Sequence, residues 1–104
     1  MAVLRLLLAA GLALPMAAAP PNGRVTIKAL TYTPPWITVQ AGSRVTWSFE
    51  DGDIPHTVTA DDNSFGSPPN GQKAGTFEHL FSAKGTVNYH CDFHPNMLGT
   101  VSVR

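Results

Sequence analysis

From Arg24 onward the chain is a succession of short β-forming runs, each closed by turn-forming residues after roughly 8–12 positions. No window sustains apolar residues at the three- and four-residue spacing of an amphipathic helix, so the chain is driven towards strands. Such spacing predicts an all-β sandwich or barrel. Residues 24–30 alternate, with Val25, Ile27 and Ala29 on one side. Residues 37–39 and 44–49 follow, the second run placing Val45, Trp47 and Phe49 on a common face. Between residues 24–30 and 37–39, Tyr32-Thr33-Pro34-Pro35-Trp36 reads as a stiff connection at an edge or between strands, because proline lacks the N–H that a central ladder needs. Residues 57–59, 76–82 and 86–91 supply further strands. Phe77, His79 and Phe81 share one side of the second of these, and residues 100–103, reached through a turn at Leu98-Gly99, form the last. Residues 61–75 are rich in Gly, Pro, Asn, Ser and Asp and read as a long loop, the place best suited to insertions or mobility.

Ahead of these runs, residues 1–19 read as a signal peptide with an approximate cleavage site. Arg5 is the positive flank, Leu6 to Leu14 an uncharged apolar run, and Ala17-Ala18-Ala19 the small residues before the cut. The run is shorter than the about 20 residues needed to span a bilayer, so export is expected over an uncleaved anchor. Residues 20–104 then form one domain in the periplasm or another extracytoplasmic space. A domain of about 85 residues buries only about 60–65% of its unfolded surface and is marginal without reinforcement. Cys91 is the only cysteine, which excludes an intrachain disulfide. A free thiol in an oxidising compartment is a liability unless something occupies it. A bound metal would answer both needs, since binding to the folded state alone adds to stability.

Charge points to no polyanionic partner. Seven basic residues face seven acidic ones, and loss of Arg5 leaves six against seven. No basic patch suits nucleic acid, and no charge run suits a membrane surface.

The residues that carry chemistry are Cys91-Asp92-Phe93-His94-Pro95-Asn96-Met97 together with the upstream Pro55-His56. Cysteine, histidine and methionine recur at intervals of three, so a tight loop leaving a strand at Cys91 can point all of them at one place. His56 must arrive from a strand end of the other sheet, with Pro55 fixing its approach. One thiolate, two imidazoles and one thioether form a soft ligand set, and two histidines with one cysteine and a weak axial methionine characterise blue-copper centres. His56, Cys91, His94 and Met97 are therefore the predicted ligands of one copper ion cycling between Cu(I) and Cu(II). Structural zinc, by contrast, usually takes four Cys or His ligands. Neither remaining histidine fits. His90 precedes Cys91 on a strand and points to the opposite face, and His79 shares a face with two phenylalanines.

These motifs resemble the cupredoxins, the family of plastocyanin, pseudoazurin and amicyanin. The resemblance runs over nearly all of the mature chain. It rests on Ile37-Thr38-Val39-Gln40-Ala41-Gly42, Val45-Thr46-Trp47, Pro55-His56-Thr57-Val58, Phe77-Glu78-His79-Leu80-Phe81, Gly85-Thr86, Tyr89-His90-Cys91 and the short amicyanin-like ligand loop. It implies a Greek-key β-sandwich of seven or eight strands and a monomeric carrier of single electrons, not an enzyme. It further implies transient docking of redox proteins, such as a cytochrome or dehydrogenase, on an apolar patch around His94, for which Pro55, Phe93, Pro95 and Leu98 are candidates. A copper-binding or copper-delivery protein is the alternative. Two positions depart from the family pattern: Thr57 stands where an asparagine often ties the ligand loops together, and Phe49 where another asparagine is common.

Overall fold

A computed structural model describes residues 22–104. The signal-peptide reading of residues 1–19 lies outside the described residues, among which no helix is long and apolar enough to cross a membrane.

Eight strands follow in chain order: β1 (Asn22–Lys28), β2 (Thr31–Thr33), β3 (Trp36–Val39), β4 (Ser43–Phe49), β5 (Thr59–Ala60), β6 (Thr76–Phe81), β7 (Gly85–Cys91) and β8 (His94–Val103). One sheet has the order β2-β1-β4-β6 and the other β3-β8-β7-β5. From β2 to β7 the chain changes sheet at every connection, which is what wraps two layers around one core. β1 runs parallel to β4, and β3 parallel to β8; the remaining pairs are antiparallel. The proline-rich connection is split, its first part forming edge strand β2 and its end opening β3, with a cis Thr33–Pro34 peptide between.

Alternation decides the inward faces. In β4, Val45, Trp47 and Phe49 are buried while Arg44 is exposed. In β1, Val25 and Ile27 are buried, but Ala29 leaves the strand for an exposed turn. Phe49, the departure from the family pattern, is simply part of this core. Trp47 sits at its centre, with the rings of Tyr89, Phe77, Phe65 and Phe81 at 5.3, 5.7, 5.9 and 6.4 Å. Each buried valine, isoleucine or phenylalanine contributes about 1.5–3 kcal/mol of transfer free energy, and this cluster is what holds the two sheets face to face.

Three expectations are corrected. Residues 61–75 form the expected loop but are tied down rather than suited to mobility: His56 and Gln72 exchange backbone hydrogen bonds, the Ser67 hydroxyl accepts the Val58 N–H, and Phe65 packs into the core. Residues 57–59 do not form one strand, since only Thr59–Ala60 pairs with β7. Gly99 is not a turn residue but lies inside β8 opposite Tyr89. A Cβ there would come within 2.6 Å of Cε2 of the Tyr89 ring and closer still to its tip, so close packing, rather than chain reversal, demands glycine.

Candidate metal centre

The two longest-paired strands of one sheet deliver most of the site. Cys91 ends β7 with its side chain inward, and after the two-residue turn Asp92-Phe93 its cross-strand partner is His94, the first residue of β8. The reversal is thus tighter than a loop extending to Leu98. A register irregularity between His90 and Cys91 re-aims the end of β7. His56 enters from the crossover between β4 and β5, so it comes from the connection between the sheets rather than from a strand end of the opposite one. Its backbone is clamped in both directions by Gln72 at 3.1 and 2.9 Å.

These elements bring three donors together. Cys91 Sγ stands 3.8 Å from His56 Nδ1 and 3.5 Å from His94 Nδ1, and the ligand atoms of all three lie within 4.8 Å of one another. Bonds of about 2.3 Å to sulfur and about 2.0 Å to nitrogen, at angles between tetrahedral and trigonal, require S···N separations of about 3.5–3.7 Å. The donors therefore suit one soft metal ion with little movement. His56 and Cys91 are buried, while His94 is partly exposed. Met97 is buried in β8 and, with His94, lines a cleft whose other walls include Leu30 and Phe93.

Around these donors the protein supplies hydrogen bonds that do not depend on a metal. The Thr57 N–H donates to Cys91 Sγ at 3.4 Å, which holds the sulfur in place. The Thr57 carbonyl accepts the Tyr32 hydroxyl at 2.6 Å. Burial, and then the neighbouring Cys91, push that phenol far above its usual range, so it stays a donor. Thr57 Oγ1 accepts the Asp92 N–H at 2.8 Å and meets Thr59 Oγ1 at 3.0 Å; the Thr59 hydroxyl in turn donates to Asp92 Oδ2 at 3.1 Å. Thr57 thus ties the two ligand segments together by a different route from an asparagine, recruiting Thr59 to gain reach.

On the far side of His56, its Nε2 lies 2.8 Å from Asp51 Oδ2. A carboxylate only accepts, so Nε2 carries the proton and Nδ1 is left free on the Cys91 side. Asp51 is itself held by the N–H groups of Ala29 and Leu30, each at 3.0 Å. Those donors, Leu30 first and then the His56 ring, keep its carboxyl below the usual carboxylate range. Ala29 and Leu30 adopt φ of 53° and 58°, a left-handed conformation that disfavours non-glycine residues by roughly 1–2 kcal/mol each. The acceptor they share compensates for that strain.

The other histidines lie apart from this cluster, as their strand positions required. His90 donates to Asp61 at 2.6 Å and to Asp92 at 3.1 Å, and the first of these bonds pulls its pKa up. His79 stacks on Phe65 at 4.4 Å. Of the predicted apolar rim, Phe93, Pro95 and Leu98 are exposed and Pro55 half-buried, with Leu30 and Ile54 exposed in addition. Gly71, at φ 91°, brings its loop against Phe93 and Pro55, where a Cβ would collide with the phenyl ring. Sequence reading missed Asp51, Thr59 and Asp92. Only the spacing Thr57-x-Thr59 hinted at a shared hydroxyl pair, and nothing local marked Asp51.

A cysteine sulfur and two imidazoles gathered at one end of a two-sheet sandwich, with a methionine along the same hairpin, define a small β-protein suited to a single soft metal ion. The sequence matches the family of copper binding proteins described as the plastocyanin/azurin family over residues 22–104, and the chain belongs to that family, the cupredoxins. It is 32% identical over 88 residues to a plastocyanin of Scenedesmus fuscus, covering 73% of this chain and 89% of that protein. Among solved structures it resembles a purple cupredoxin from Nitrosopumilus maritimus, with a TM-score of 0.72 and 30% identity over 79% of this chain and 99% of the other. A Cu(I) form of an amicyanin variant gives a TM-score of 0.69 and 29% identity over 85% and 87% of the two chains.

Proposed function

We propose that this protein is a mononuclear type 1 copper carrier that passes single electrons between larger redox proteins, with His56, Cys91, His94 and Met97 as ligands. The observation that carries the reading is the convergence of Cys91 Sγ with the Nδ1 atoms of His56 and His94 at separations matched to one metal ion. Copper, when bound, supplies the one-electron couple. Everything else is the task of the chain's own residues. Thr57 N–H holds the sulfur, Asp51 and Gln72 hold His56, and the core behind Tyr89 keeps Cys91 dry. Met97 would supply a weak thioether donor, which would favour the softer Cu(I).

His94 is the partly exposed ligand and shares a cleft with Leu30, Phe93 and Pro95, with Leu98 also exposed on β8. A small apolar surface of this kind fits brief docking of a redox partner, such as a cytochrome or dehydrogenase, better than a permanent complex. The protein acts as a monomer, carries out no bond-making chemistry and works outside the cytoplasm once residues 1–19 have directed export. Copper delivery is the alternative. Burial of His56 and Cys91 supports retention of the ion, and incubation of the loaded protein with a Cu(I) chelator distinguishes the two, since a carrier of electrons keeps its metal through repeated redox cycles.

The test is the visible and paramagnetic-resonance spectrum of Cu(II)-loaded protein, repeated with Met97→Gln. An intense thiolate-to-copper band and a raised affinity for Cu(II) in the variant are expected. A colourless Cu(II) complex would overturn the reading.

A further inference from the structure

The Asp51 carboxylate occupies a junction that the copper reading does not by itself require. It lies just after β4, five residues before His56, with its side chain only 13% exposed. One oxygen accepts the Ala29 N–H; the other accepts both the Leu30 N–H and the His56 Nε2–H. The carboxylate is thus fixed by the backbone before it meets the imidazole, and its position is not set by the histidine. Among the described residues no such carboxylate meets His94, so the two imidazoles are unlike: one is anchored to a fixed anion and the other is not.

We propose that Asp51 is a positioning residue for the metal centre, holding His56 as the Nε2–H tautomer with Nδ1 turned towards Cys91 and lowering the reduction potential through its negative charge. The inference rests on the copper-carrier reading and deepens it. An imidazole donating to a carboxylate is a more basic ligand at its other nitrogen, and hydrogen-bond partners of this kind orient and tune metal-bound histidines. A stronger donor and a nearby negative charge both favour the more highly charged ion, Cu(II). The same carboxylate satisfies two backbone N–H groups in a left-handed turn, so a purely structural role would also make Asp51 important for folding. The experiment has to separate these roles.

Three variants do so: Asp51→Asn, Asp51→Glu, and Asp51→Asn combined with Leu30→Gly, which keeps the N–H while relieving the left-handed backbone. In Asp51→Asn the Cu(I)/Cu(II) ratio at a fixed ambient potential is expected to rise at least tenfold, an upward shift of about 59 mV for one electron. Asp51→Glu restores the charge and recovers part of that shift. Adding Leu30→Gly recovers thermal stability without returning the potential. Independently of any variant, nitrogen-edited NMR of the wild-type Zn(II)-loaded and Cu(I)-loaded protein is expected to show a slowly exchanging His56 Nε2–H proton.

An unchanged potential in Asp51→Asn together with lost stability would reduce Asp51 to a staple for the turn. A His56 ring protonated at Nδ1, or a fast-exchanging Nε2 proton, would overturn the proposal even if Asp51→Asn did not fold. Failure of wild-type protein to form a coloured Cu(II) thiolate complex would instead count against the functional reading, so the two failures are distinguishable.

Discussion

Thr57→Val is the sharpest probe of how the site is held, because valine keeps the shape of threonine and removes only Oγ1. That oxygen accepts the Asp92 N–H at 2.8 Å and contacts the Thr59 hydroxyl at 3.0 Å. Thr57 is fully buried, so no water replaces the lost atom at its own position. A net hydrogen bond is worth about 0.5–1.5 kcal/mol, and a donor stranded without a partner costs about 1–3 kcal/mol. Asp92 is exposed and its N–H recovers part of its hydration, which places the expected loss at about 2 kcal/mol. For a domain of this size each kcal/mol lowers the melting midpoint by about 4–8 °C, so roughly 8–16 °C is expected. Denaturant titration of metal-free protein is the right assay, since copper affinity then adds nothing to the result. Thr57→Ser retains the oxygen and should lose far less. In copper-loaded Thr57→Val, the freed Asp92 segment should also slow electron self-exchange, because Cys91 and His94 flank that residue and its neighbour. A Thr57→Val midpoint indistinguishable from that of Thr57→Ser would refute the claim that this hydroxyl clasps the ligand segments.

Three further outcomes are expected. Gly99→Ala drives a methyl into the tip of the buried Tyr89 ring, which Tyr32 at 4.7 Å and Trp47 at 5.3 Å keep from moving aside, so it should destabilise by about 1–3 kcal/mol, measured by urea unfolding and relieved in a Tyr89→Ala background. Tyr89→Phe should be close to neutral, because the buried Tyr89 hydroxyl and the Trp47 indole N–H interact without forming a well-aligned hydrogen bond; a loss of more than about 1 kcal/mol would show that they form a true one. Burial against Phe65 and Phe81 lowers the pKa of His79 from 6.5, so protonation favours the unfolded chain, and this part of the stability is present above about pH 6.5 and lost as pH falls through the folded-state value. Solvent screening keeps the effect below about 1 kcal/mol, and His79→Gln should flatten the decline between pH 7.5 and pH 5 in parallel denaturation series, whereas equal slopes would contradict it.

What could be read in the chain beforehand depended on period and spacing. The inward faces of β1 and β4 follow from alternation, and the convergence of Cys91 and His94 follows from a strand end plus a short reversal. Gly99 is ambiguous in the sequence because glycine reads identically whether it turns a chain or admits a neighbouring ring; only the pairing with Tyr89 separates the cases. The loop over residues 61–75 looked free because its composition is polar, yet Phe65 and Ser67 tie it to the core and to Val58 through contacts that no local pattern encodes. Asp51 was invisible for a related reason. Its partners are Ala29 and Leu30, more than twenty positions away, in a turn whose residues carry no glycine to announce a left-handed backbone.

The same contrast explains how this site could serve both oxidation states of copper. Cys91 is held by the Thr57 N–H, His56 by Asp51 and by Gln72, and the segment between Cys91 and His94 by Thr57 Oγ1. All of these bonds form between protein atoms, so the donor separations exist before any ion arrives. A site whose ligands are positioned by the fold rearranges little when its charge changes by one, which is the requirement for rapid electron transfer. His94 departs from that pattern: it is the donor with one edge in solvent and the one without an anchoring carboxylate among the described residues. Under the proposed copper reading, the buried donors would set the geometry and bias the potential, while the partly exposed His94 would be the one a partner approaches. On this division of labour, substitutions at Asp51 should move the potential more than partner affinity, and substitutions at Leu98 or Phe93 should do the reverse.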